Sequence, residues 1–222
     1  GVAQGAAEAT ARRLLHGGLP ELLLVARKDP AFLIEWIDSF YARDILELFG
    51  IRNRQGFLAL FRLLLRQSGG QLDYSRLANL SEMSRVTVKA HIEAMHIAHV
   101  VHLLRPFHGG GKREIVSRPK CYAFDTGFVT FEKGWDTIRS DDRGLLWEHL
   151  VLDSLRFHYA DEDISYWQDK SRREIDFVIR RERDRVDVVE CKINPDRLDA
   201  TAAEAFRALY PALRRAAAPG GA

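Results

Sequence analysis

The stretch that most constrains the fold is residues 174–193, EIDFVIRRERDRVDVVECKI. Two runs rich in β-branched and aromatic residues, 174–180 and 185–193, flank the short polar segment Arg181-Glu182-Arg183-Asp184, a pattern that predicts an antiparallel hairpin. A turn centred near Arg183 sets Asp176 opposite Glu190, and strand alternation puts Lys192 on the same face as Glu190. Ile175, Phe177, Val178, Ile179, Val188, Val189, Cys191 and Ile193 make both parities apolar, so the strands should be covered on both sides. A carboxylate in such surroundings must be paired with a cation, bound to a metal or set at an open cleft, because burying an unpaired charge is prohibitive.

Upstream, residues 143–159 read as a long helix on which Glu148 shares a stripe with Leu145, Leu152, Leu155 and Tyr159. With a strand over 164–168 and a last helix over 199–210, the order is that of a compact α/β unit. Carboxylates from Glu148, Asp176 and Glu190 would form a hard oxygen site suited to Mg2+ or Mn2+ rather than to zinc. Lys192 could then orient a water molecule or offset developing charge. The competing reading is a structural salt bridge from Lys192 to Asp176 or Glu190.

The first half of the chain is patterned differently. Residues 8–15, 31–48 and 57–67 carry helical periodicity, and two further helices over 73–80 and 84–99, the second capped by Ser84, outline a helix-turn-helix. Strand-like runs at 100–104 and 115–124, joined across the tip 108–112, would form its wing. In the second helix Val86, Val88, Ile92 and Met95 suit the core, while Arg85, Thr87, Lys89 and His91 are candidates to face DNA, led by Arg85 and Lys89. Lys112, Arg113, Arg118 and Lys120 on the wing would meet phosphates. Equally, these are solvated charges on an assembly module. The Gly109–Lys112 stretch lacks the spacing of a phosphate-binding loop, so no ATP site is expected in this chain.

Composition narrows the setting. Lys and Arg number 33 against 31 Asp and Glu, so net charge settles nothing about nucleic acid. Two distant cysteines, Cys121 and Cys191, point to a reducing, cytoplasmic compartment, and the longest apolar runs are too short for a membrane span. Residues 1–11 and 214–222 are low in complexity and expected to fray.

In order and spacing, Glu148, Asp176 and Glu190-Cys191-Lys192 resemble the PD-(D/E)xK nucleases, in the variant whose first acid comes from a helix. The resemblance implies Asp176 and Glu190 as metal ligands, Glu148 as a ligand through water and Lys192 as the catalytic lysine, with Gln168 a weaker candidate. A wider set of phrases is similar to the C-terminal half of prokaryotic AAA+ ATPases bearing domain of unknown function 4143. These are Gly17-Gly18-Leu19-Pro20-Glu21, Tyr41-Ala42-Arg43-Asp44-Ile45, Ser84-Arg85-Val86-Thr87-Val88, Tyr122-Ala123-Phe124-Asp125-Thr126-Gly127, Trp147-Glu148 and Glu174-Ile175-Asp176-Phe177-Val178. The fold expected is α+β. A helical segment (1–50) leads out of an upstream ATPase module, followed by a winged-helix domain (51–130), a nuclease-like α/β domain (131–213) and a flexible tail (214–222). The expected function is a DNA-associated, divalent-metal-dependent nuclease-like module partnered with that ATPase. The alternative is a non-catalytic nucleic-acid- or protein-binding regulatory module that kept the nuclease fold.

Overall fold

The computed structural model describes residues 2–25, 27–109, 118–182, 185–194 and 200–215, in a mixed α+β arrangement. It divides into two units: Gly1–Leu103 with Lys120–His149, and Leu104–Pro119 with Leu150–Ala222.

The first unit begins with α1 (Val2–His16), α2 (Pro20–Leu23) and α3 (Pro30–Phe40). A π-helical turn over Tyr41–Leu46 and α4 (Glu47–Phe49) follow. The glycine- and alanine-rich start is therefore helical, not frayed as composition suggested, which suits its high alanine content. The helix α5 (Arg54–Arg66) is capped by Asn53 and buries Phe57, Leu60, Phe61, Leu64 and Leu65. Trp36 stacks on Phe124 and Phe40 at ring distances of 4.8 and 5.6 Å and meets Phe128 edge-on at 4.9 Å, joining α3 to the end of the unit's strands.

Next come α6 (Tyr74–Leu80), α7 (Arg85–Ile97) and three short strands: β1 (Gly70–Gln71), β2 (Val101–Pro106) and β3 (Lys120–Ala123). Asp73 and Ser84 cap the two helices as their side chains accept from Ser75 and Arg76, and from Thr87. The buried side of α7 holds Val88, His91, Ile92, Ala94 and Met95. Val86 is thus not core but 78% exposed, and His91 is buried rather than free to reach a ligand. The helical repeat explains both, since Val88, His91, Ile92 and Met95 share one stripe and Val86 falls outside it. Lys120 also departs from expectation: it pairs with Gln71 in the β1–β3 ladder and is buried, so it cannot serve as a solvent-facing phosphate contact. Lys112 and Arg113, with the wing tip from 110 to 117, lie outside the described residues.

The helices α8 (Thr126–Glu132) and α9 (Arg143–His158) follow β3. Asp125 caps α8 through Gly127 N–H at 2.7 Å, while its other oxygen accepts from Gly18 N–H at 2.6 Å. Gly17 has φ of +83°, and a Cβ there would collide with the Asp125 carboxylate; one on Gly127 would strike the His16 carbonyl. Two phrases more than a hundred residues apart in sequence are thereby one contact. In α9, His149 is buried, meets Ser68 Oγ through Nε2 at 3.2 Å and lies edge-on to Tyr122, while Ser68 Oγ accepts from Ala123 N–H at 2.7 Å.

The second unit takes the end of β2 and adds β4 (Ile164–Gln168), β5 (Glu174–Glu182), β6 (Arg185–Val189), α10 (Thr201–Leu209) and β7 (Arg214–Arg215). Within it β2 runs parallel to β4, β4 and β5 are antiparallel, β5 and β6 are antiparallel, and β6 is parallel to β7. The β5–β6 register is Phe177 opposite Val189, Val178 opposite Val188 and Ile179 opposite Asp187, the alignment implied by a turn near Arg183. Phe107, Trp167, Ile175, Val178, Val186, Ala205 and Phe206 form the core that α10 closes. Residues 214 and 215, expected in the flexible tail, pair with β6 instead.

Two outcomes follow. Gly17→Ala should lower stability by roughly 2–4 kcal/mol, since it combines a left-handed backbone with a lost capping contact, and a drop in melting temperature measures it. Burial, opposed only by a backbone hydrogen bond to Ala123, lowers His149 to about 4. A histidine depressed in the folded state gives stability that is full above its unfolded value and lost as pH falls toward the folded one. The wild type should therefore lose about 2 kcal/mol between pH 7 and 5 relative to His149→Asn in chemical denaturation. Parallel slopes would contradict this.

Candidate functional site

The hairpin β5–β6 carries the acidic residues, and its register decides where they meet. Asp176 stands between Ile175 and Phe177 and is only 7% exposed. Strand alternation sets it on the same face as Val178, which faces Val188 across the ladder. The apolar part of that face therefore ends where Asp176 begins. β6 itself stops at Val189, earlier than the sequence suggested. Asp176 supplies the reason: its Oδ2 accepts from Cys191 N–H at 2.6 Å, so a side chain takes a donor in the segment just past the strand end.

This bond holds Glu190-Cys191-Lys192 beside Asp176. Lys192 Nζ lies 3.5 Å from Glu190 Oε2, with the Lys192 side chain 38% and the Glu190 side chain 17% exposed. The other oxygen, Glu190 Oε1, is buried with no hydrogen-bond partner among the described residues. Burial pushes the Glu190 carboxyl above its ordinary value, the neighbouring Asp176 charge pushes it further, Lys192 opposes the shift and Glu174 adds to it. Glu174 is itself held by Gln168, whose Nε2 donates to its Oε2 at 2.8 Å. The hairpin and the segment after it thus gather Glu174, Asp176 and Glu190 beside the Lys192 ammonium. The turn entering β5 is fixed separately by Arg173, which donates to Asp169 from its backbone and its guanidinium at 2.9 and 2.7 Å.

Asp176, Glu190, Lys192 and Gln168 are therefore neighbours in one unit. Glu148 belongs to the other, where Tyr122 donates its hydroxyl proton to Glu148 Oε2 at 3.0 Å. Its part-buried position beside the inward-facing Leu146, His149 and Leu152 is the flank of the helix stripe rather than its centre. A role for Glu148 as a third ligand rests on the resemblance alone. Among the described residues, no group of three or more His, Cys, Asp or Glu side chains is arranged to hold a metal ion. Asp176 and Glu190 still offer the oxygen donors that a hard divalent cation takes, and the unpartnered Glu190 Oε1 is the atom that would gain most from one.

Sequence reasoning missed Glu174 as a member of this cluster, although its position two residues before Asp176 on a strand marks it as sharing that face. It also missed the Asp176–Cys191 bond, which no residue pattern announces. Arg85 and Lys89 lie exposed on α7, with Lys89 Nζ 5.4 Å from the centre of the Tyr74 ring. No helix among the described residues is long and apolar enough to cross a membrane.

Residues 143–220 match Domain of unknown function (DUF4143), and residues 7–138 match Domain of unknown function (DUF8612). The phrases before residue 139 that suggested the first domain thus lie in the second. An uncharacterized protein of Methanocaldococcus jannaschii is 26% identical over 171 residues, covering 73% of this chain and 37% of the relative. Uncharacterized proteins of Mycobacterium bovis and Mycobacterium tuberculosis are each 29% identical over 176 residues, covering 76% of this chain and 40% of theirs. The chain spans about two fifths of the length of these curated relatives. No solved structure matches it. With more than half of its length in one family, the chain belongs to the DUF8612 family and carries a DUF4143 domain after it.

Proposed function

We propose that the chain is a DNA-associated, divalent-metal-dependent nuclease-like module of an AAA+ ATPase family protein. The observation that carries this reading is the buried, unpartnered Glu190 Oε1 beside the Asp176 carboxylate. Two like charges side by side in a partly buried setting oppose folding, and natural sequences retain such pairs where a cation offsets them in use. Asp176 and Glu190 would hold Mg2+ or Mn2+, which supplies polarisation of a phosphodiester and an ionised water. Lys192, exposed and tethered to Glu190, would orient the attacking water and offset charge on the phosphate. Cys191 has an indirect role: its N–H fixes one oxygen of Asp176.

The same reading treats α6, α7, β2 and β3 as a winged helix and the DUF4143 segment as a PD-(D/E)xK-like domain. Arg85 and Lys89 would meet the duplex, and Lys112 and Arg113 would reach phosphates. Relatives about twice as long leave room for an ATPase module in the same polypeptide. A second reading is favoured by the Glu190–Lys192 contact at 3.5 Å, the geometry of a structural ion pair: a regulatory binding module that kept the nuclease shape.

Titration calorimetry with Mn2+, joined to cleavage assays on duplex, branched and single-stranded DNA, separates the two. The first reading expects metal binding and nicking by the wild type, both lost in Asp176→Ala. It expects Lys192→Met to keep metal binding while cleavage falls by about 100-fold. Arg85→Ala with Lys89→Ala should weaken duplex binding without touching metal affinity. Duplex binding without metal uptake or cleavage would leave the regulatory reading in place.

A further inference from the structure

The turn that joins β4 to β5 stands directly before the acidic cluster in the chain, and it is cationic: residues 169–173 read DKSRR. Pairing of Gln168 with Glu174 closes the hairpin at the base of the turn. Asp169 is 8% exposed and spends its carboxylate inside the turn, Oδ1 accepting from Arg173 N–H at 2.9 Å and Oδ2 from the Arg173 guanidinium at 2.7 and 2.6 Å. Backbone bonds from Asp169 N–H to Arg173 O at 3.0 Å and from Arg172 N–H to Asp169 O at 3.1 Å complete a braced loop. Lys170 and Arg172 are left over: both are exposed, and neither forms an ion pair among the described residues.

Arg172 has φ of +62°. An L side chain resists this left-handed backbone, which glycine adopts freely, so a turn selected for shape alone would carry glycine there. Positions held in such a conformation cluster where a side chain acts on something outside the fold. Location indicates what that is. Glu174, two residues on, belongs to the cluster with Asp176 and Glu190. The chain from Arg172 to Asp176 spans no more than about 14 Å, a distance covered by a few consecutive phosphates of one strand. Without a metal the three carboxylates repel a polyanion. A divalent cation there, together with Lys192, balances them, and Lys170 and Arg172 remain as net positive charge beside the site.

We propose that Lys170 and Arg172 hold the sugar–phosphate backbone of the DNA strand on which the acidic site acts, binding phosphates next to the one at Asp176 and Glu190. This rests on the reading of that site as a metal-dependent nuclease centre. An ammonium and a guanidinium on phosphate oxygens set the register of the strand without reading its bases, and they take no part in bond cleavage. The brace between Asp169 and Arg173 keeps the loop in shape without drawing on either cation. An acidic protein partner fits less well. Its carboxylates would meet two cations next to three carboxylates, whereas a phosphodiester also supplies oxygens to the metal.

Fluorescence anisotropy of a labelled duplex tests this, with the full chain titrated in Ca2+ or in chelator at salt from about 50 to 200 mM. Ca2+ is a hard cation for the same oxygen ligands. Lys170→Gln with Arg172→Gln should lower the slope of log affinity against log salt by about 2 in Ca2+, and equally on duplexes of unrelated sequence. The loss should be smaller in chelator, where the carboxylates keep the strand away. Arg172→Gly should weaken binding while holding or raising the melting temperature, because it removes the charge and relaxes the backbone. An unchanged slope, or no duplex binding by the wild type, overturns the proposal. So does a lower melting temperature for Arg172→Gly, which would tie Arg172 to the fold itself. A slope that falls equally with and without Ca2+ supports the phosphate contacts of the turn and overturns the metal reading of the site.

Discussion

In the second unit, strand β5 and the segment just past β6 carry carboxylates side by side at the margin of an apolar core. The β5–β6 pairing that aligns Val178 with Val188 for α10 to cover also brings Asp176 and the Glu190 segment together. Shifting the register by one residue would separate the acids, but it would turn Val186 and Val188 away from Phe206 and Ala205. Packing therefore enforces the electrostatic conflict. Asp176 resolves its share through Cys191 N–H, and Glu190 resolves half of its own through Lys192. What is left is a buried Glu190 oxygen without a hydrogen-bond partner among the described residues, and it is the feature that supports a cation site.

In the first unit, two sets of buried polar groups are satisfied by contacts within the unit. Asp125 accepts from Gly18 and Gly127 and lies near Arg13, and the glycines are needed because the chain passes too close for any side chain. Ser68, His149 and Ala123 form a second closed set beneath Tyr122. Both sets tie distant segments together and leave no charge for a ligand to complete.

Much of this was legible in the residues. The hairpin and its register followed from two β-rich runs around a polar turn, and β4 fell on the residues its apolar pattern gave. Ser84 was recognisable as a cap because hydroxyl side chains satisfy the free N–H groups of a helix start. Periodicity failed where one residue of phase decides burial, as in the exchange of Val86 for His91 on α7. Lys120 was misjudged because its burial comes from a strand pairing with Gln71 that is remote in sequence. The same remoteness hid the Gly18–Asp125 contact, the β7 pairing and the way Asp176 ends β6. Local pattern carries local geometry; partners from separate elements need the fold.

The central claim is that Asp176 and Glu190 repel in the free protein and are joined by a divalent cation. A double-mutant cycle on stability with Asp176→Asn and Glu190→Gln, run with chelator and again with saturating Mn2+, measures that coupling directly. The account predicts a change of sign: the two charges oppose each other without metal and support each other with it. A coupling unaltered by Mn2+ would contradict it.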